Sequence, residues 1–253
     1  MSLQAAFCEL DRHYEVSNLP VYLVDNSNQV AKADYQGLIT SDSKDGAHLE
    51  IHHISGQGNI GYGRAHNLIL DCLTSDFHLV LNPDVVIDEK ALVNALSIII
   101  QDNNIIGISP NAENLLGEKQ YLCKRYPSVF TLFIRGFLFT YWKRFFKERL
   151  SHYEMRELSD KEYSKGIELI SGCFMFLDTR IFKKINGFCE SYFLYFEDFD
   201  LSIRMRKHGE LVYAPKVQIK HSGGDAAKKG ASHILTFIKS GYKFFNAHGW
   251  RFF

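Results

Sequence analysis

The chain predicts an α/β fold built on a mostly parallel central sheet. Two observations carry that reading. Short apolar runs at Pro20–Val24, His48–Ile54, Phe77–Leu81 and Ile105–Ser109 alternate with segments of helical apolar spacing. Turns follow three of these runs directly: Asp25-Asn26-Ser27-Asn28, the glycine-rich stretch Gly56–Gly63, and Asn82-Pro83-Asp84. Ligands of such sheets bind beyond the carboxyl ends of the strands, so the three turns are expected to share one rim.

The elements follow in order. Leu3, Ala6, Phe7, Leu10 and Tyr14 predict an opening helix. Pro20–Val24, His48–Ile54 and Phe77–Leu81 are strands, with a helix expected from about Arg64 to Leu73. Glu89–Gln101 reads as a helix and Ile105–Ser109 as a strand. From Tyr121 to Leu150 the character changes, and Phe, Tyr and Trp are interleaved with Lys and Arg. Ile167–Leu177 returns to strand, followed by a helix from Thr179 to Ile185 and another over Asp198–Lys207, which Gly209 ends. Leu211–Tyr213 and Val217–Lys220 are short strands leading to His221-Ser222-Gly223-Gly224. His233–Ala247 is an amphipathic C-terminal helix.

Bulk properties exclude several classes. At 253 residues the chain can bury a sizeable core as one large domain. Lys+Arg and Asp+Glu both number 29, which argues against a general nucleic-acid binder. The five cysteines are odd in number and form no CxxC, so a disulfide framework or a zinc site is not expected and a reducing compartment is. No signal-peptide pattern opens the chain. The longest apolar stretch, Val129–Trp142, contains Arg135 and is too short to span a bilayer at about 1.5 Å per residue. The expected location is cytoplasmic. The aromatic–basic segments Phe130–Arg149 and Ile234–Phe253 read either as core helices or as helices lying in a membrane interface, which would add peripheral contact with the inner face of the cell membrane.

Four motifs carry chemistry. Gly56-Gln57-Gly58-Asn59-Ile60-Gly61 fits a dinucleotide fingerprint, but a strand already precedes its own, and a plain tight turn fits as well. A third reading takes Asn59, Gly61, Gly63 and Asn67 together as a place where backbone passes close to a nucleotide. Asp84, after an apolar strand, suits Mg²⁺ or Mn²⁺ with diphosphate and water completing the shell, or else caps a turn. Glu197, Asp198 and Asp200 open a helix, where the helix dipole favours carboxylates by about 0.3–1 kcal/mol. Three such groups among Phe193, Tyr195, Phe196 and Phe199 exceed what capping requires. Crowded carboxylates raise one another's pKa, which suits a general base. His221 gains a metal-ligand role only from its neighbours.

As an ordered set these residues resemble the family 2 glycosyltransferases of the GT-A fold, and most of all the rhamnosyltransferases of bacterial O-antigen and related polysaccharide biosynthesis. The resemblance runs from about Pro20 to Gly224. It is carried by Val24-Asp25-Asn26, Asn59-x-Gly61-x-Gly63 with Asn67, Leu81-Asn82-Pro83-Asp84, Ser171-Gly172, Asn186-Gly187-Phe188, Phe196-Glu197-Asp198-x-Asp200-Leu201 with Arg204, and His221-x-Gly223-Gly224. It implies a GT-A domain over 1–225 and a C-terminal amphipathic helix or tail over 226–253. It implies that Asp25 contacts the nucleotide base. Asp84 becomes the metal-binding aspartate of a DxD-like motif with Asn82 in place of the first acid. His221 approaches the metal or diphosphate, and Ser171 and Gly172 line the sugar–acceptor pocket. Asn59, Gly61, Gly63, Asn67 and Arg204 fall with the nucleotide-sugar site. Asp198 is the base, with Glu197 and Asp200 supporting it and orienting its helix.

The implied reaction is inverting. A nucleoside-diphosphate sugar, dTDP-rhamnose as the leading donor, gives its sugar to a saccharide or polyprenyl-linked saccharide. Family members begin with an apolar strand whose end holds base and ribose. Here the chain opens in what would be the following helix, so the central sheet is expected to lack that strand. Three rival readings accompany this one: a non-catalytic GT-A-like binding protein of a polysaccharide assembly complex, a sugar nucleotidyltransferase and a dehydrogenase. The nucleotidyltransferase would need a basic glycine-rich loop near the N-terminus, which the sequence does not show.

Overall fold

A computed structural model describes residues 2–16, 18–27, 48–138, 140–223 and 230–253. Asn28 and Gly224, and the expected domain boundary at 225/226, lie outside the described residues. The opening helix α1 (Ser2–Tyr14) buries Ala6, Phe7 and Leu10. Strands β1 (Asn18–Val24) and β2 (His48–Ile54) pair in parallel along their whole length, from Asn18–His48 to Val24–Ile54. Helix α2 (Tyr62–Asn67) is shorter than expected and ends in a separate 3₁₀ turn at Leu70–Cys72. Next come β3 (Phe77–Leu81), β4 (Val85–Ile87), α3 (Ala91–Gln101) and β5 (Ile105–Glu113). Helix α3 buries Ala91, Leu92, Ala95 and Ile99, one face at helical spacing, and packs against α1.

The second half adds β6 (Lys119–Gln120), β7 (Cys123–Lys124), α4 (Val129–Phe137), α5 (Thr140–Lys143) and α6 (Lys147–Tyr153). The strand expected over Ile167–Leu177 is two: β8 (Leu169–Ile170) pairs with β7, and β9 (Phe174–Asp178) enters the central sheet. The break between them is Ser171-Gly172, which the site uses. Helices α7 (Thr179–Lys184) and α8 (Glu197–Met205) follow. The two short strands expected over 211–220 are one, β10 (Glu210–His221), whose pairing with β5 shifts register between Ala214 and Gln218. Helix α9 (Ala231–His248) closes the chain.

The central sheet runs β3-β9-β5-β10-β4, with β6 on β5. Strands β3, β5 and β10 share one direction, as the α/β reading expects. Strand β9 runs against both of its neighbours and β4 against β10, so the sheet is mixed. Among the described residues β1 and β2 pair only with each other and β3 is the outer strand of the central sheet, although all three pack on the same apolar clusters.

A third cluster joins Leu132 of α4, Tyr153 of α6, Tyr192 and Phe196 before and at the start of α8, and Phe244 and Phe245 of α9. The helix expected as a C-terminal tail is therefore one wall of this core. Gly107, central in β5, leaves no room for a side chain, because a Cβ there would lie 2.6 Å from Leu211 Cδ2 and 3.1 Å from Leu177 Cδ2. Gly107→Ala is expected to destabilise the fold by about 1–3 kcal/mol through overpacking, measured by urea denaturation.

Candidate active site

The turn Asn82-Pro83-Asp84 closes with the Val85 N–H donating to the Asn82 carbonyl at 3.2 Å. The Ser222 N–H donates to the Asp84 carbonyl at 3.1 Å and ties this turn to the end of β10. There His221 is buried, with Nε2 3.5 Å from Asp84 Oδ2. Gln120 determines its tautomer. The Gln120 amide nitrogen donates to the carbonyls of His221 and Gly223, both at 3.1 Å, so its oxygen faces His221 Nδ1 at 3.0 Å. Nδ1 then carries a proton, and Nε2 faces Asp84. A Cβ on Gly223 would come within 2.6 Å of Asp84 Oδ2 and 2.9 Å of His221 Nε2, filling the space beside them.

A carboxylate and an imidazole with its second nitrogen anchored suit Mg²⁺ or Mn²⁺, whose remaining positions diphosphate and water would take. Among the described residues no group of three or more His, Cys, Asp or Glu could hold a metal by itself. Asn82 turns elsewhere, with its side-chain oxygen 3.1 Å from the Tyr62 hydroxyl.

The second acidic group opens α8. Tyr195 and Phe196 both take left-handed backbone conformations, at φ 71° and 66°. Asp198 is partly exposed. Its Oδ2 accepts the Gly172 N–H at 3.0 Å and its Oδ1 the Phe199 N–H at 2.9 Å. Burial raises its pKa, and these N–H donors pull it back. Glu197 is buried, and its Oε2 has no partner. Burial and then the Asp198 charge push its carboxyl up to about 8. The neighbours thus differ: Glu197, without a partner, is pushed toward holding its proton, while the two N–H donors at Asp198 favour its charged form. Asp200 is separate. Its oxygens are engaged by His248 Nε2 at 2.8 Å and Arg204 Nε at 2.7 Å.

Tyr62 links the two acidic sites. Its hydroxyl donates to the Gly172 carbonyl at 2.6 Å. Its pKa lies well above the ordinary value, through burial first and then its acidic neighbours Cys173, Asp198, Glu197 and Asp84. The turn that carries Asp84 and the Gly172 peptide that binds Asp198 thus meet at one hydroxyl.

The nucleotide-side turns also converge. The Asp25 N–H donates to the Ile54 carbonyl at 2.8 Å, and its carboxylate is held low by the Ser27 hydroxyl and N–H. Asn26 pins the glycine loop, accepting the Ile60 N–H at 3.0 Å and donating toward Asn59 Oδ1 and the Gly61 carbonyl, both at 3.2 Å. Gly61, at φ 95°, is required by the chain itself, since a Cβ would lie 2.5 Å from the Phe193 carbonyl. A Cβ on Gly63 would meet Phe188 Cβ at 2.8 Å.

Three sequence expectations change here. Asn67 does not face a nucleotide, because its amide bonds the Phe188 N–H and carbonyl at 2.9 and 2.8 Å. Arg204 likewise holds the carbonyls of Ile185 and Gly187 at 2.9 and 2.8 Å besides Asp200. Both are engaged in scaffolding the Asn186-Gly187-Phe188 turn. The dinucleotide reading of Gly56–Gly61 loses its anion site, because α2 has six residues and its Tyr62 N–H already donates to the Phe193 carbonyl at 2.9 Å. Sequence reasoning did not single out Tyr62, Gln120 or His248. Of these only Tyr62, an aromatic residue between two functional glycines, offered a local signal.

No family model matches the chain. A computed fold comparison finds GalNAc-T7, solved with UDP, GalNAc and Mn²⁺, at TM-score 0.59 and 11% identity over 98% of this chain and 47% of that one. The mannosyltransferase PcManGT of Pyrobaculum calidifontis, solved with GDP-Man and Mn²⁺, matches at TM-score 0.53 and 14% identity over 95% and 61%. The fold is GT-A. Among curated proteins, the N-acetylglucosaminyl-diphospho-decaprenol L-rhamnosyltransferase of Mycobacterium tuberculosis is 27% identical over 74% of this chain and 64% of its own length. Rhamnosyltransferase WbbL of Escherichia coli is 25% identical over 79% and 76%. In sequence this GT-A chain is thus similar to curated proteins named rhamnosyltransferases. It spans just under two thirds of the length of the mycobacterial relative.

Two measurements probe the geometry. The folded Glu197 pKa, about 8, exceeds its unfolded value, so its contribution to stability is full below the ordinary carboxylate range and is lost as pH rises toward 8. Glu197→Gln is expected to remove that loss, raising Tm relative to the parent more at pH 8 than at pH 5. Gln120→Leu is expected to weaken Mn²⁺ binding on the order of 10–100-fold, read from free Mn²⁺ by EPR.

Proposed function

We propose that this chain is an inverting, metal-dependent glycosyltransferase. It moves a sugar, rhamnose from dTDP-rhamnose as the leading donor, from a nucleoside diphosphate to a saccharide or polyprenyl-linked saccharide in cell-surface polysaccharide synthesis. The observation that carries this reading is that the Asn82-Pro83-Asp84 turn, whose Asp84 pairs with His221, and the Gly172 peptide that binds Asp198 meet at the Tyr62 hydroxyl. The relatives' names favour the sugar and the lipid-linked acceptor.

In this reading Asp25 meets the base, and the Asn59–Gly63 loop, held by Asn26, lies along the nucleotide. Asp84 and His221 hold Mg²⁺ or Mn²⁺, which supplies positive charge beside the diphosphate. Ser171 and Gly172 line the sugar–acceptor pocket. Asp198 accepts the proton of the acceptor hydroxyl, whose oxygen bonds to the anomeric carbon as the bond to diphosphate oxygen breaks. One displacement inverts that carbon and needs no covalent intermediate on the protein. Glu197, neutral beside Asp198, spares it a second negative charge. Asp200, through Arg204 and His248, orients the helix.

A non-catalytic GT-A-like binding protein is the second reading. The separation of β1–β2, which carries Asp25, from the central sheet among the described residues favours it. One experiment decides. The parent should gain Tm with one of UDP, dTDP or GDP only when Mn²⁺ is present. Asp198→Asn should keep that shift and lose transfer by at least about 100-fold, the lower range for a general base. Absence of any nucleotide shift defeats the catalytic reading, and near-parental turnover by Asp198→Asn removes Asp198 as the base.

A further inference from the structure

The two aromatic–basic segments form one surface. The Val129 N–H donates to the Arg251 carbonyl at 2.8 Å and the Phe130 N–H to the Phe252 carbonyl at 3.1 Å, joining the start of α4 to the residues beyond α9. Ring contacts extend the junction. Phe130 lies 5.8 Å from Phe253 and 5.5 Å from Phe146, and Trp250 stacks on Phe252 at 5.5 Å and meets Tyr242 at 5.8 Å. Beside Phe146, the rings of Tyr141, Trp142 and Phe145 touch one another within 6.2 Å. Phe130 and Phe146 are half-buried, and the rings around them face solvent: Trp142 is 56% exposed, Phe145 62% and Phe253 82%. Exposed apolar patches of this extent mark interaction surfaces.

Its charge identifies the partner. Residues 129–149 contain five Lys and Arg and one carboxylate, Glu148, while residues 231–253 contain three Lys and Arg and no carboxylate. Arg135 pairs with Glu154, but Arg144 stacks over Tyr141 and Phe145, and Arg149 over Phe130. Cations seated over these rings place positive charge and apolar area on one surface. A globular protein partner would need matching apolar area and acidic side chains at fixed positions. A bilayer with anionic headgroups supplies both without registry, because Trp and Tyr rings settle at headgroup depth while Lys and Arg reach the phosphates.

We infer that this aromatic–basic surface docks the protein on an anionic phospholipid bilayer. The inference goes beyond sugar transfer and does not depend on it. Trp142 and Trp250 are the only tryptophans in the chain and both lie on this surface, so intrinsic fluorescence reports on it alone. The test uses the full chain with phosphatidylcholine vesicles, with and without phosphatidylglycerol. The expected result is co-sedimentation with the phosphatidylglycerol vesicles, a blue shift of emission, quenching by brominated lipid, and loss of binding as salt rises.

Arg144→Glu with Lys147→Glu, both at exposed positions, should lower vesicle affinity roughly tenfold or more. That variant should keep the parental Tm and any nucleotide-induced shift, which separates lipid docking from the donor site. Absence of co-sedimentation with either vesicle overturns the inference. So does equal binding to both vesicles, or a concentration-dependent dimer in which the tryptophans are shielded without lipid.

Discussion

The Tyr195–Phe196 turn is the constraint on which the site depends. Two consecutive non-glycine residues in the left-handed region cost about 1–3 kcal/mol each. Burial of the Phe196 ring among Phe199, Phe237 and Phe244 offsets that cost, at about 1.5–3 kcal/mol for one large apolar side chain. Polar ties supply the rest. Ser240 Oγ donates to the Leu194 carbonyl at 2.7 Å, and the Tyr195 hydroxyl bonds His233 Nδ1 at 2.9 Å. Because the turn is held from α9, Glu197 and Asp198 begin the helix beside the Ser171-Gly172 break. The C-terminal helix is thus structural support for the Asp198 carboxylate as well as the carrier of an exposed face.

The two acidic sites are prepared by different means. At Asp198 the chain uses backbone N–H groups and a buried, protonated neighbour, so the charge is placed without a cation. At Asp84 the preparation is indirect: a glutamine reads two carbonyls, and by doing so it decides which imidazole nitrogen is free. Tyr62 lies between the sites and fixes the Gly172 carbonyl. The Phe199 N–H and Glu197 are sequence neighbours of Asp198, but the Gly172, Gln120 and Tyr62 contacts join segments that the fold alone brings together.

That difference explains what could be read in advance. Strands β2 and β3 were legible to the residue, because apolar runs bounded by turn residues have few other interpretations. The positions of the carboxylates after β3 and in the first turn of α8 were legible because apolar runs and helix starts mark strand ends and first turns. The Ile167–Leu177 run was not, since an apolar stretch does not reveal where Ser171-Gly172 interrupts it. Asn67 and Arg204 were misread for a related reason: motif spacing does not distinguish a residue that holds a ligand from one that holds the turn beside it. Gln120 and His248 act only through partners about 50–100 residues away, so no local pattern could mark them.

The register shift in β10 has a consequence for how this chain tolerates change in length. Before the shift, both faces of the strand are covered. After it, Val217, Ile219 and His221 point inward while Gln218 and Lys220 face solvent. Alternation has a period of two, so adding or removing a single residue between Ala214 and Gln218 would turn His221 to the opposite face and leave Gln120 and Asp84 without it. Replacing a side chain at exposed Lys216 leaves that parity intact. In this short stretch the spacing of residues, more than their identity, carries the information.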